Sequence, residues 1–437
     1  MKSRLNWEEG FMNTRTLLAA SAIALMATAA QAEKLTVWGL QAFNKDADAL
    51  IGRMAQDFGK SRGVDVEYVV VPANVLTQRL AAAFEGHAAP DVYMQIGQST
   101  PYYADRGLTK PVDDLLAEMR AVDGGIYESL ALQSTYKGVA HSIPLEVDVV
   151  PMFARTDLLK AAGMELPKTW EELGAAAKAI VKANPQYTGL GLPVSTANDA
   201  ESDILMLVWS FGGAMFAEDG STVTWSSPET TAAYAYIEDL FKAGAIPRSA
   251  LTWDDAGNNT AYQTGRAAFI MNPASVYSWM VQNDQTLLSN SAMIAIPKGP
   301  GPKGRSATMI SSFAWMLSSE TRQDALAKDW IRYFFQPDNY EKLIEVTGGR
   351  WVPIFPKLMQ TMPLFKDNPA FASFDDLARN GLAIGFQGPP TPLASEIYNA
   401  KVVSTSVQHM LVDGYSPADA VAWATKEIEG IKARQAR

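Results

Sequence analysis

The 437-residue chain is 48% apolar and 19% charged, an ordinary globular balance that argues against disorder, and its length allows two or three domains. A formal charge of −10 offers no basic face for phosphate contacts, so nucleic acid is not an expected partner. Cysteine is absent and the histidines are only three, at 87, 141 and 409, which excludes disulfides and thiol chemistry and argues against a His-rich metal site. No cofactor and no metal are expected.

The N-terminus reads as an address. A short basic region begins at Met12, Leu17 to Ala30 is almost wholly apolar, and Ala30-Gln31-Ala32 has the small-x-small form of a cleavage site. This is a secretory signal peptide over residues 1–32, too short for a permanent membrane span. Glu8 and Glu9 do not suit a basic start, so translation is read from Met12. The residue after the cleavage site is Glu33, so no lipid anchor is attached there. Periplasmic localisation follows.

Strands and helices then alternate. Leu35 to Trp38 reads as a strand, and Ala47, Leu50, Ile51, Met54, Ala55 and Phe58 recur at helical spacing. Asp65 to Val71 is a second strand. Leu76, Leu80, Ala83 and Phe84 mark a second helix, and Pro90-Asp91-Val92 opens a third strand. Such a βαβ series builds a parallel sheet with right-handed crossovers, and ligands of open α/β sheets bind beyond the strand C-termini. The loops after Trp38 and Met94 are therefore places for a site.

Further along, Thr169-Trp-Glu-Glu172 is a capping box ahead of a helix over Leu173–Ala183. Ser227-Pro228 and Ser416-Pro417 each place a cap and an N1 proline before a helix. Residues 267–271, 293–296 and 309–317 read as strands, with Pro297 to Gly304 a loop between the last two.

Most chemical motifs fail on inspection. Gly299-Pro-Gly301-Pro-Lys-Gly304 spells a dinucleotide fingerprint, but its prolines and the lack of a following helix leave no helix N-terminus for a pyrophosphate. The pairs Glu146/Asp148, Asp254/Asp255 and Asp375/Asp376 could serve a secreted carbohydrate hydrolase. Adjacent acids are commonplace, however, and no motif marks one of them as a catalytic acid.

The order and spacing of several segments carry more weight. They are Thr36-Val-Trp-Gly39, Pro90-Asp91-Val92, Ile143-Pro144-Leu-Glu-Val-Asp148 running to Arg155-Thr-Asp157-Leu-Leu159, and Leu166-Pro167-Lys-Thr169-Trp170-Glu171-Glu172. Phe211-Gly212-Gly213, Gly265-Arg-Ala-Ala268-Phe269, Pro297-Lys-Gly-Pro300 and Gly348-Gly-Arg350 follow. Over residues 33–437 the chain resembles the extracellular solute-binding proteins of ABC importers, in the branch that includes maltose-binding protein. The resemblance implies an α/β, two-lobed fold in which each lobe is a mostly parallel sheet flanked by helices and the chain crosses a hinge about three times. Lobe one would hold 33–147 and 313–352, and lobe two 148–310 and 353–437. A sugar or related polyhydroxylated solute would bind in the cleft, hinge closure would bury it, and the closed form would dock on a permease. The protein would be a monomer and not an enzyme. A glycerophosphodiester or sugar acid is a variant ligand.

Sugar hydroxyls are matched by carboxylates and amides, and the C–H face by an aromatic ring. Gln41 and Asn44 after the first strand, and Gln98 and Ser99 after the third, could do the polar work, or merely cap helices. Asp148 matches a carboxylate that contacts sugar in maltose-binding proteins, with a hinge salt bridge the alternative. Asn198 and Asp199 lie in a polar loop before an apolar helix. Trp170 and Trp330 fit helix packing and are assigned to the core. Trp209, Trp253, Tyr277, Trp279 and Trp351 are the aromatic candidates, and Tyr277 aligns with an aromatic of the maltose binders. Those proteins often carry a tryptophan where this chain has Ser275. Arg350 could hold hydroxyls, an anionic group or a loop carboxylate.

Overall fold

The computed structural model describes residues 34–42 and 44–435. The expected signal peptide over residues 1–32 lies outside the described residues.

A first sheet has the order β2-β1-β3-β13-β6, built from Lys34–Leu40 (β1), Asp65–Val71 (β2), Val92–Ile96 (β3), Ile143–Pro144 (β6) and Phe313–Leu317 (β13). β1 pairs in parallel with β2 and β3, as a βαβ series requires. β13 pairs antiparallel with both β3 and β6. The intervening helices, Lys45–Arg62 and Ala73–Glu85, follow their apolar stripes, and the first buries Leu50, Ile51, Met54 and Phe58.

A small hairpin, Thr135–Tyr136 (β4) and Val139–Ala140 (β5), precedes the first crossing. The second sheet has the order β11-β8-β10-β9, from Met152–Arg155 (β8), Thr188–Leu190 (β9), Ala267–Met271 (β10) and Ser291–Ile294 (β11), and is mixed rather than mostly parallel as expected, because β8 runs antiparallel to both β10 and β11. Between the sheets runs a two-stranded ribbon in which Asp148–Val149 (β7) pairs antiparallel with Ile310–Ser311 (β12). The strand expected over 309–317 is thus two strands. It breaks at Ser312, where the amide of Phe313 donates to the buried carboxylate of Glu146 at 2.6 Å.

Two main hydrophobic cores surround the two sheets. One gathers Leu35 through Val149 and then Ile310 through Ala378, while the other gathers Val150 through Met309 and then Ile384 through Ile431. The chain passes between them near 149–150, 309–310 and 378–384. The third passage was expected near 352. It comes later because Phe355, Met359, Phe365, Phe371 and Phe374 pack into the first core, with Phe355 edge-on to Tyr340.

Local signals account for much of the second body. The Thr169 side chain accepts from the Glu172 amide at 3.1 Å and the Glu172 carboxylate accepts from the Thr169 amide, closing the capping box of helix Trp170–Ala183. Ser227 and Pro228 start the helix to Lys242. Helix Asn198–Phe211 ends at Gly212, whose φ of 97° lies in the left-handed region and where a Cβ would strike Lys303. The Pro297–Gly304 loop packs on that same helix end. Gly299 lies so close to the Ser210 carbonyl that no side chain fits, and Arg305 N–H donates to that carbonyl at 2.9 Å. Gly299 and Gly304 serve close backbone packing, and Gly301 the turn, with a φ of 71°.

Candidate functional site

A cavity of about 140 Å³ lies between the two cores. The first body contributes Leu40 and Ile96 at the C-terminal ends of β1 and β3, then Ala73, Gln98 and Phe313. The ribbon contributes Asp148 and Ser311, and Arg350 comes from the segment that bridges back to it through Val352 and Val147. The second body supplies Asn198, Asp199, Ser202 and Asp203 from one helix, with Asp255, Asn259, Asn272, Ser275 and Tyr398. Val150, Pro273 and Met309 are its apolar share.

This wall can both donate and accept toward a polyhydroxylated solute. Its charged groups are four carboxylates and one guanidinium. Arg350 is 6% exposed and donates to Asp148 at 2.8 Å. Burial opposes the charge of Arg350, but Asp148 and Glu146 hold its pKa above the ordinary value. Burial pushes Glu146 well above the carboxylate range, Asp148 adds to the rise, and Arg350 opposes it. Burial and the neighbouring Asp255 carry Asp199 up to about 7. Asp203 rises well above its ordinary value through burial, with Asp199 and Asp255 adding to it.

The second-body wall is tied internally. Asp255 accepts from the Asn198 amide group at 2.9 Å and from the Asp199 backbone N–H at 3.0 Å. Asn272 is 2% exposed, and its Oδ1 accepts from Ser275 Oγ at 2.7 Å. Lys401, behind the wall, donates to Asn198 Oδ1 at 2.6 Å. Burial lowers its pKa, while Glu201, Asp255 and Asp199 oppose the fall.

Of the residues singled out from sequence, the structure brings Gln98, Asp148, Asn198, Asp199 and Arg350 together on this wall. Asn198 and Asp199 begin a helix and are not in a loop. The other residues lie elsewhere. Asn44 caps helix Lys45–Arg62, accepting from Asp46 and Ala47 N–H at 3.0 Å, and its amide donates to the Val346 carbonyl. Gln41 is half-buried and its N–H continues the β1–β2 ladder to Val71. Ser99 is buried in a single turn of helix behind the wall.

None of the five candidate aromatics lines the cavity. Trp209 and Trp351 are fully buried, the first against Phe386 and the second edge-on to Phe313. Trp351 therefore backs the wall through Phe313. Trp253 lies on an outer groove of the second body beside Tyr187, Arg248 and Arg266. Tyr277 sits edge-on to Phe371 and accepts from Asn368, and Trp279 packs on a small satellite core. Trp170 and Trp330 are fully buried, as helix packing requires.

Sequence reasoning missed Ser202, Asp203, Asn259, Asn272, Ser311, Phe313 and Tyr398, and it weighed Asp255 only as half of an acid pair. One signal was available for Asp203. Helix Asn198–Phe211 is apolar on every side beyond its first turns, so Asp199, Glu201 and Asp203 cannot all face solvent.

Acids of all three pairs weighed for hydrolysis hold bonds within the protein, and two of them, Asp148 and Asp255, also line the cavity; Asp255 accepts from Asn198 and Asp199, and Asp254 from Ala256 N–H. Glu146 faces the Phe313 amide, Asp148 is the partner of Arg350, and Asp375 bonds Tyr127 and Arg379.

The family model for bacterial extracellular solute-binding proteins matches residues 41–341, and the chain belongs to this family. A probable ABC transporter-binding protein of Deinococcus radiodurans is 24% identical over 315 residues, covering 70% of this chain and 73% of that protein. An ABC transporter solute-binding protein of Thermotoga lettingae, bound with α-D-tagatose, superposes with a TM-score of 0.81 at 20% identity, covering 92% of this chain and all of that one. Maltose-bound MalE3 of T. maritima superposes with a TM-score of 0.75 at 21% identity, covering 92% and 100%. The fold is accordingly that of the two-lobed binding proteins.

Proposed function

We propose that this protein captures a sugar or sugar alcohol in the cavity between its two bodies and delivers it to the permease of an ABC importer. The observation that carries this reading is the wall itself: amides, hydroxyls and carboxylates converge from both bodies on one small space interrupted by Pro273, Met309 and Phe313. At roughly 10–15 Å³ per enclosed water-sized sphere, 140 Å³ accommodates on the order of ten non-hydrogen atoms, the size of a monosaccharide or pentitol. The tagatose in the Thermotoga lettingae protein supports that scale.

The two lobes of this reading are 34–149 with 310–378, and 150–309 with 384–435, joined at the ribbon. The protein acts as a periplasmic monomer after removal of residues 1–32, and it binds its solute without altering it. The test is a thermal-shift screen against monosaccharides and alditols, with mass spectrometry of the recovered solute. Stabilisation by mass action and an unchanged solute are expected. A hydrolysed or otherwise converted solute would sink the reading.

A further inference from the structure

Asp203 is 3% exposed and lines the cavity, and its Oδ2 has no hydrogen-bond partner among the described residues. Asp199 stands one helical turn before it, so the two side chains share a face. Its carboxylate receives the Asn258 amide at 3.2 Å and the Asn272 amide at 3.5 Å. Asp255 closes the group through the Asp199 N–H and the Asn198 amide. Of the cations nearby, Arg350 donates to Asp148 through one terminal nitrogen and keeps a buried Nε without a partner among the described residues, and Lys401 donates to Asn198 Oδ1 with its ammonium 4.3 Å from the Tyr398 ring centre.

A buried carboxylate without a partner is costly; a hydroxyl donor satisfies its lone pairs, and a proton or a cation also balances its charge. Among the described residues no group of three or more His, Cys, Asp or Glu could hold a metal ion, and the cavity these carboxylates line has the volume of a small solute. Building on the sugar-binding reading, we propose that the solute bears a primary amine: an amino sugar or amino alditol whose ammonium lies against Asp203 and Asp199. An ammonium has three donors and no acceptor, the complement of acceptor-only carboxylates. The hydroxyls of the same solute face Asn259, Asn272 and Ser275. Burial and two neighbouring acids drive the Asp203 carboxyl well above its ordinary range, in keeping with a charge that no group of the protein balances. A sugar acid or glycerophosphodiester would add a negative charge beside three carboxylates and is disfavoured.

The experiment uses matched pairs on the purified protein, followed by thermal shift and calorimetry: D-glucosamine and D-glucose, D-galactosamine and D-galactose, D-glucamine and D-glucitol, with N-acetyl-D-glucosamine and D-gluconate as controls. In at least one pair the amine should bind ten-fold or more tightly than its hydroxyl counterpart, and N-acetylation should abolish that gain. Asp203→Asn should raise the melting temperature of the free protein at neutral pH, because folding no longer has to protonate a buried carboxyl, and erase the preference for the amine. Asp199→Asn is the second variant, and a preference that survives both overturns the inference. If neutral members bind as well as amines or better, the sugar reading stands and the amine inference falls. If no member of any pair binds, both fall.

Discussion

Arg350 donates to Asp148 at 2.8 Å with both side chains largely shielded from water, and the two residues belong to different segments of the interlobe ribbon. The pair ties the chain where the first core gives way to the second, and it faces the cavity. A buried ion pair is weak evidence of net stabilisation, yet breaking one by removing a single partner is costly. Arg350→Met leaves Asp148 and Glu146 uncompensated and should cost about 3–5 kcal/mol in urea unfolding. Asp148→Asn should cost less, since Glu146 still compensates Arg350, and a double-mutant cycle should return a favourable coupling. A loss below about 1 kcal/mol for Arg350→Met, typical of a surface pair, would show that the bridge does not organise the ribbon.

The acid cluster predicts an inverted pH dependence. Asp199 is raised to about 7 by burial and by Asp255, with Asp148 adding and Asn258 and Arg350 opposing. Asp203, on the same helix face, adds a further acid, and Lys401 stands behind. The folded state then keeps a proton that the unfolded chain releases near pH 4, so stability falls as pH rises from about 4 to about 7. The slope attributable to Asp199 is at most about 1.4 kcal/mol per pH unit. Carboxylates such as Asp114, Glu118 and Asp157, lowered by their arginine or lysine partners, act in the opposite sense at lower pH. The difference between wild type and Asp199→Asn isolates the cluster, and the variant should gain stability on the wild type between pH 5 and 7. Parallel curves would remove Asp199 from this role.

Trp351→Ala should destabilise the protein by about 3–5 kcal/mol, as expected for an aromatic deleted from a core, because the ring is fully buried against Phe313. Any loss of solute affinity should be secondary, through displacement of Phe313. A variant that melts like wild type would contradict this packing.

The fold was legible wherever local chemistry decides it. β2 spans the residues read from its β-branched run, and the Thr169 box and the Ser227-Pro228 cap sit where their side chains bond their own backbone. The break at Ser312 was not legible, because it depends on Glu146 arriving from a distant segment. The third crossing was placed too early because nothing local in 353–378 says which of two cores its phenylalanines join. In the site, Gln98 was within reach because it follows a strand end, and Asp148 through the resemblance to maltose-binding proteins. The aromatics were not, because a tryptophan's position in sequence does not reveal whether its ring faces a cleft or a core. Trp209 and Trp351 joined cores.

The helix Ser275–Asn283 bridges the two bodies, since it leaves β10 of the second sheet yet bonds elements of the first core. Ser278 Oγ donates to the Thr347 carbonyl at 2.7 Å, and Asn368 donates to Tyr277 Oη at 3.1 Å beside the Tyr277–Phe371 edge contact. On the other side, Ser395 donates to the Gln98 carbonyl at 2.7 Å. Each bond contributes about 1 kcal/mol net, so removing one shifts an open–closed equilibrium roughly five-fold. Apparent affinity falls with the fraction of binding-competent molecules. Tyr277→Phe and Ser278→Ala should therefore each weaken solute binding, by up to about five-fold, without touching the cavity wall, and where the closed form dominates the free protein the double variant should show a larger radius of gyration without solute. Saturating solute should restore the compact form in small-angle scattering. If both variants bind with wild-type affinity and the double variant scatters as wild type, these contacts do not hold the lobes together, and closure must be governed at the ribbon around Asp148 and Arg350.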